Sequence, residues 1–258
     1  MEKIPSRYKS YYRTLRWICL ILLWIHLSFS VSHALDDEEI ARLQSSLLNK
    51  TIGERIALWA EKFLGTPYDP DPMGEYVTKE TIVADERVDC MYLAFRAVEL
   101  SLSRSPAEAI EIALEKRFHS KGILRDGRVI NYEDRFEYGE DMILSGKWGR
   151  EITPTLGKMV KIKGSRGKAF VDYLPSHALL KGRKKLKNGD ILFFVKKLKA
   201  RQVGEIVGHL GIVKVEKDVF LIHASGAKRK GGEVKKVLLK DYILKMPFIG
   251  VKVTRFDR

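Results

Sequence analysis

The sequence predicts an α+β fold, in which helices come first and an antiparallel sheet follows. Two observations support this prediction. Apolar residues recur at helical spacing in the N-terminal half of the chain, whereas short β-branched runs separated by turn residues fill the C-terminal half. We therefore expect one helix to pack on the sheet and further helices to precede it.

Local start signals mark the helices. Asp36 to Asn49 carries apolar residues at helical spacing, and Thr51 with Glu54 forms a capping box that opens a second helix. A third helix is predicted to begin at Cys90. Ser105-Pro106 predicts the start of a fourth, because serine caps helices and proline suits the first helical position.

The segments between and after these helices are less regular. Tyr68 to Glu86 is rich in Pro, Gly and Asp, which predicts a long irregular segment of the kind that often carries function. Asp126-Gly127 inside Leu124 to Ile130 predicts a tight hairpin. Tyr132 to Leu144 is predicted to be helical.

Short runs of β-branched and aromatic residues predict the strands of the sheet. They are Met159 to Ile162, Ala169 to Val171, Asp190 to Val195, Val207 to Val215, Val219 to Ala224, Val234 to Leu238 and Ile249 to Val253. Leu239 to Leu244 is predicted to form a short helix between the last two strands.

The N-terminus predicts export. Basic residues precede the apolar run Trp17 to Phe29, and Ser32-His33-Ala34 has the small-x-small pattern of a cleavage site. We predict a signal peptide over residues 1–34 and a main domain over residues 35–258, located in the periplasm or cell envelope. The apolar run is shorter than the ~20 residues of a comfortable membrane span, and an uncleaved N-terminal membrane tether is the alternative.

Charge narrows the range of partners. The chain of 258 residues has a net charge of +14, and cleavage after Ala34 would remove five Lys/Arg and one Glu, leaving +10. Such a protein favours anionic surroundings, which include peptidoglycan carboxylates and anionic cell-envelope polymers. Export and the lack of an aromatic-basic RNA motif argue against nucleic acid as a partner. We expect a monomer.

Cys90 is the candidate nucleophile. The chain has two cysteines, and removal of the signal peptide would take Cys19 with it and leave one thiol. Cys90 lies where the irregular segment becomes a helix, and the N–H groups and dipole of a helix start favour a thiolate. The alternative is a small buried apolar residue.

Two histidines are candidate partners of this thiol. His209 starts one predicted strand, His223 ends the next, and a three-residue loop over 216–218 would place them on the same face. A two-residue loop would place them on opposite faces. One histidine could then act as a general base while the other orients it. The alternative is a zinc site made by Cys90 and both histidines, but no close ligand pair supports it, and we predict no metal and no cofactor.

Five short motifs occur in an order that points to a family. They are Gly65-Thr66-Pro67-Tyr68, Val88-Asp89-Cys90, Asn188 to Phe194, Gly208 to Val213 and Leu221 to Ser225. With them the chain resembles the NlpC-type papain-like superfamily of cell-wall hydrolases, and within it the N-acetylmuramoyl-L-alanine amidase-like branch. The resemblance runs from about Thr51 to Phe256.

The resemblance implies a papain-like fold and a role for each matching residue. Cys90 would be the nucleophile, His209 the general base and His223 the orienting third member of the triad. Tyr68 would lie beside the nucleophile and help to position the oxyanion. Asp89 would contact substrate, with capping of the helix as the alternative.

The resemblance also implies the reaction. We expect hydrolysis of an amide bond in peptidoglycan or in muropeptides through a thioester, most specifically the bond between N-acetylmuramic acid and L-alanine. Many relatives have Ser or Thr shortly after the cysteine, where a hydroxyl can contact substrate, whereas this chain has Met91. The resemblance therefore does not specify how the stem peptide is recognised. Two alternatives stay open: a γ-D-glutamyl-diamino acid endopeptidase with the same triad, and a non-catalytic envelope-binding protein.

Overall fold

The computed structural model of the protein describes residues 35–227 and 230–257. The predicted signal peptide, residues 1–34, and the alternative N-terminal tether lie outside this part of the chain. Within the described ranges, no helix combines the length and the apolar character that crossing a membrane requires.

The N-terminal helices begin where the local signals predict them. They are α1 (Asp37–Leu47), α2 (Ile52–Lys62), α3 (Glu75–Thr78), α4 (Cys90–Leu102) and α5 (Pro106–Lys116). The capping box of α2 is confirmed, because the N–H of Thr51 donates to Glu54 Oε2 (2.9 Å) and the N–H of Glu54 donates to Thr51 Oγ1 (3.3 Å). The single turn α3, inside the segment predicted to be irregular, is too short to show a helical period.

The middle of the chain corrects one prediction. The hairpin is confirmed as β1 (Leu124–Arg125) and β2 (Arg128–Val129). Tyr132 to Leu144 is not one helix: a 3₁₀ turn at Tyr132–Asp134 is followed by extended chain and then α6 (Gly139–Ser145). The reason is tertiary, because the N–H of Phe136 donates to the carbonyl of Arg117 (2.9 Å) instead of closing a helical turn.

The predicted sheet is confirmed as antiparallel. Its strands are β3 (Arg150–Glu151), β4 (Val160–Lys163), β5 (Phe170–Pro175), β6 (Ile191–Val195), β7 (Val207–Val215), β8 (Val219–Ala227), β9 (Gly231–Leu238) and β10 (Gly250–Arg255). Within the described ranges the spatial order is β4-β5-β10-β6-β7-β8-β9, and β3 pairs with β10. The fold is therefore α+β, as predicted.

Short helices connect these strands. They are α7 (Thr153–Leu156), α8 (Ser176–Gly182) and α9 (Leu239–Lys245), with 3₁₀ turns at Arg183–Lys185 and Leu198–Ala200. The helix between the last two strands matches the prediction to within a residue, whereas α7, α8 and β3 were not predicted.

The sheet is covered on both faces, and each face has its own apolar core. Leu210 and Ile212 of β7 point towards the cluster that contains the side chains of α4. Val213 of β7 and Leu221 of β8 belong to a second cluster, which also contains Ile243 of α9. Because side chains alternate along a strand, odd-numbered residues of β8, and of β7 from residue 209 onward, face α9, and even-numbered residues face α4.

Candidate active site

Cys90 is the first residue of α4, and its side chain is half-buried against the core on the α4 side. Asp89 is the N-cap, and its Oδ1 accepts hydrogen bonds from the N–H groups of Met91 (2.9 Å) and Tyr92 (2.8 Å). These bonds fix the first turn of the helix. The thiol therefore lies at the positive end of the helix dipole. Asp89 caps the helix, and its contact with substrate stays a prediction.

Buried ion pairs hold the irregular segment against α4. Asp85 accepts a bidentate pair of hydrogen bonds from Arg96 (2.7 and 2.8 Å) and a third bond from the Tyr92 hydroxyl (2.9 Å). Glu99 of the same helix is bound by Arg117 in the same bidentate way (2.6 and 2.7 Å). All four charged side chains are at most 5% exposed, so each depends on its partner. Sequence analysis did not identify this network.

The two candidate histidines lie on the hairpin formed by β7 and β8. Val215 pairs with Val219, so residues 216–218 form the loop, and the three-residue connection on which the same-face prediction depended is confirmed. The ladder between the two strands continues as far as Ile212 and Ile222. The histidines lie beyond the last of these pairs, at the end of the hairpin remote from the loop.

His209 and His223 contact each other directly at this end. His209 Nε2 is 2.9 Å from His223 Nδ1, and the two ring planes are nearly perpendicular (87°). Both side chains are on the α9 face of the sheet, as their odd numbers require. A β-bulge lies next to His209, because Phe194 of β6 pairs with His209 and the next residue, Val195, pairs with Val207. Such bulges re-aim a neighbouring side chain.

Burial keeps both imidazoles neutral. It lowers the pKa of His209 well below the ordinary value, and repulsion between the two imidazoles, which opposes a positive charge on both, lowers it further. Burial likewise lowers the pKa of His223 to about 4, and Lys235, which pairs with His223 across β8 and β9, adds to the effect. A neutral His223 has one ring nitrogen available as an acceptor, which an orienting residue needs.

Tyr68 packs beside the same end of the hairpin. Its N–H donates to the carbonyl of Gly232 (2.8 Å), and its ring lies so close to Gly226 that a Cβ there would be 2.3 Å from the ring. Burial and the charges of Cys90 and Asp89 raise the pKa of its hydroxyl, so Tyr68 stays protonated. The predicted proximity of Tyr68 to Cys90 and its role at an oxyanion both stay predictions.

Tyr242 of α9 is a further residue of the site, and sequence analysis did not identify it. Its ring centroid is 4.9 Å from that of His223 and 6.3 Å from that of His209. Burial raises the pKa of its hydroxyl, and the charge of Cys90 raises it further. Tyr242 therefore lies beside both histidines. The only sequence signal was its place in the short helix between β9 and β10.

Within residues 35–227 and 230–257, no group of three or more His, Cys, Asp or Glu side chains is arranged to hold a metal ion. His209 Nε2 and His223 Nδ1 contact each other, so neither nitrogen is available to a metal ion while this contact lasts.

Comparison with known proteins supports the fold. No protein-family model matches the chain, and no curated protein matches it. Among solved structures, it is similar to an N-acetylmuramoyl-L-alanine amidase from Bacteroides uniformis, with 22% identity, a TM-score of 0.61, and coverage of 80% of this chain and 99% of that one. Protein LPG0564 from Legionella pneumophila, assigned to DUF1460, has 18% identity and a TM-score of 0.65 over 84% of this chain and 93% of its own.

A third similar structure carries a different name. A Bacteroides fragilis protein provisionally named a xylanase has 21% identity and a TM-score of 0.60, over 78% of this chain and all of its own (100%). At these identities the comparison shows a shared fold, and the differing names show that the fold alone does not fix the activity. The chain thus shares its fold with these three solved structures.

Proposed function

We propose that this chain is an exported, papain-like cysteine amidase that cleaves an amide bond of peptidoglycan, with Cys90, His209 and His223 as its triad. The observation that carries the proposal is the 2.9 Å contact between the two histidines. It lies at the end of the hairpin remote from the loop, beside the ring of Tyr242. The fold shared with a bacterial amidase supports the same reaction class.

The contact between the histidines assigns each nitrogen a task. Once His209 takes the proton of the thiol it becomes an imidazolium, and its Nε2–H donates to Nδ1 of the neutral His223. That leaves Nδ1 of His209 to exchange the proton with Cys90 and then with the leaving amine. The thiolate attacks the amide carbonyl, the amine leaves with the proton from His209, and water hydrolyses the thioester with His209 as base.

The substrate and location follow from the same proposal. The target is the bond between N-acetylmuramic acid and L-alanine, in peptidoglycan or in soluble muropeptides, and the protein acts in the periplasm or cell envelope. Its positive charge of +14 favours an anionic polymer as substrate. Tyr68 would donate to the oxyanion, because its raised pKa keeps the hydroxyl protonated.

Digestion of purified peptidoglycan tests the proposal. The full chain should release intact stem peptide and leave unsubstituted glycan, both identified by mass spectrometry. Cys90→Ala should abolish turnover, whereas Cys19→Ala, which removes the other cysteine, should retain it. Thermal unfolding of each variant shows whether it is folded.

Three results would contradict parts of the proposal. A dipeptide left on the sugar would identify a γ-D-glutamyl-diamino acid endopeptidase with the same triad. Equal activity in the Cys90→Ala variant would exclude Cys90 as the nucleophile. Binding without turnover by the unmodified chain would indicate an envelope-binding protein.

A further inference from the structure

Tyr242 occupies a position that neither the triad nor the oxyanion requires. It lies on α9, in the connection between β9 and β10, and is half-buried on the face of the sheet that carries both histidines. Its ring meets that of His223 at 64° with centroids 4.9 Å apart, the closest ring contact that His223 makes within the described residues. One face of the histidine pair is therefore covered by a phenol ring.

Other aromatic rings complete the cover over His209. Phe248 stacks on it in a nearly parallel plane (6°, centroids 6.1 Å apart), and Phe194 lies on it at 5.8 Å. Tyr242 also touches Phe194, with centroids 5.2 Å apart. These rings form an apolar wall, so the hydrogen bond between the imidazoles lies in a medium of low polarity, where it is stronger.

Two neighbouring elements bring titratable groups near the pair. Lys235 faces His223 from β9, and Cys90 belongs to α4, which packs against β7 and β8 from the other side. Burial disfavours protonation of His223, and the positive charge of Lys235 disfavours it further. The ring of Tyr242 contributes to that burial.

We infer that Tyr242 is a positioning residue of this site, whose ring shields the hydrogen bond between His209 and His223 from water and holds each imidazole in one tautomer. Tyr242 would affect catalysis only by positioning the two histidines, and this effect rests on the proposed function. Its action on the histidines themselves is measurable without any substrate.

The physical basis is the cost of a misplaced base. A ring that exchanges tautomers presents the wrong nitrogen to the thiol for part of the time, and a displacement of about 1 Å can cost about 100-fold in rate. A flat ring at this site prevents both the exchange of tautomers and the displacement of the imidazole, whereas a flexible aliphatic side chain admits water. The hydroxyl of Tyr242 is not needed for this role.

Nitrogen-15 NMR of the histidine rings as a function of pH tests the inference on the full chain. His209→Gln and His223→Gln variants assign the two rings among the six histidines. Tyr242→Phe keeps the ring and should retain the tautomers and pKa values of the unmodified protein. Tyr242→Leu should move the pKa of His223 upwards by about one unit, towards the ordinary value, and mix the tautomers.

Ile243→Ala is the matched control, because Ile243 is a buried residue of the same helix that packs in the second core. It should weaken α9 without changing the histidine titration. If Tyr242→Leu does not fold, Tyr242→Met provides a similar volume without a flat ring. An unchanged histidine titration in the aliphatic variant, or an equal change in Ile243→Ala, would overturn the inference.

Kinetics separate this inference from the proposed function. If the amidase proposal holds, Tyr242→Leu should lower kcat by about 10- to 100-fold with little change in KM, and Tyr242→Phe should keep most of the activity. If the unmodified chain shows no turnover, the amidase proposal fails, while the NMR result still decides whether Tyr242 positions the histidines.

Discussion

The candidate site is built from two flanks that are stabilised in different ways. On the helical flank, Cys90 is positioned by α4, and the charged pairs Asp85–Arg96 and Glu99–Arg117 are buried beneath it. On the sheet flank, the histidines are positioned by strand pairing and by neutral aromatic rings. The first flank contains buried charge that is fully paired, and the second contains titratable groups that burial keeps uncharged.

This difference shows what each flank can tolerate. A buried ion pair is sensitive to the loss of one partner, since the remaining charge is left in a medium of low polarity. A neutral histidine pair in an apolar pocket is sensitive to acid, since protonation introduces a buried charge. The helical flank should therefore be fragile to mutation, and the sheet flank to low pH.

The largest expected effect is on the helical flank. Arg117→Met should lower the free energy of unfolding by about 3–5 kcal/mol, because it leaves the carboxylate of Glu99 buried without its bidentate partner. The double variant with Glu99→Leu should recover most of that loss. Urea unfolding at pH 7 measures both values.

The matched control for this experiment is an exposed ion pair. Lys121 and Glu115 form a contact of 2.7 Å with both side chains more than half exposed (53% and 56%). Lys121→Met should cost less than about 1 kcal/mol, because solvent screens exposed pairs. An equal loss in the two single variants would mean that burial of the Arg117 pair has no special importance.

The next effect is on the sheet flank and depends on pH. His223 has a folded-state pKa of about 4 against an ordinary value of 6.5, so between these values the unfolded chain binds a proton that the folded chain does not. Stability should therefore fall as the pH drops from about 6.5 towards 4, by up to about 1.4 kcal/mol per pH unit for this group.

Substitution of His223 isolates that contribution. In His223→Gln the free energy of unfolding should depend less steeply on pH over this window, as measured by urea unfolding at a series of pH values. His177→Gln, at an exposed histidine of α8, is the control and should leave the slope unchanged. Identical slopes for His223→Gln and the unmodified protein would show that the sheet flank is not the acid-sensitive one.

The smallest effect is at the start of α4. Asp89→Ala removes the acceptor of two backbone N–H groups and should cost about 1 kcal/mol, whereas Asp89→Asn should retain most of the cap. Ser105→Ala, at the cap of α5, should have a similar effect and serves as the control. A loss in Asp89→Asn as large as in Asp89→Ala would show that the charge of Asp89 matters rather than its hydrogen bonds.

Much of the fold could be predicted because its signals are local. The capping box at Thr51, the helix start at Cys90 and the turn at Asp126-Gly127 each depend on a few adjacent residues. The predicted helix over Tyr132 to Leu144 was wrong in its middle, because Phe136 pairs with the end of α5, a partner that no local pattern identifies.

The candidate site could be predicted in part for the same reason. The spacing of His209 and His223 predicted that both lie on one face if the loop has three residues, since side chains alternate along strands, and the structure has that loop. Which face they occupy was not predictable, because it depends on how the sheet is covered. Tyr242 and Phe248 reach the histidines only through the packing of α9 and the chain that follows it.

The sequence by itself determined the order of the elements and the helix start at Cys90, because these follow from hydrogen bonding and periodicity within short stretches. The structure decided between the two loop lengths and so placed both histidines on one face. Only the tertiary structure decided that the two imidazoles touch, that aromatic rings enclose them, and that Arg96 and Arg117 have buried partners. Those features join residues distant along the chain, and their energies depend on burial, which exists only once the chain has folded.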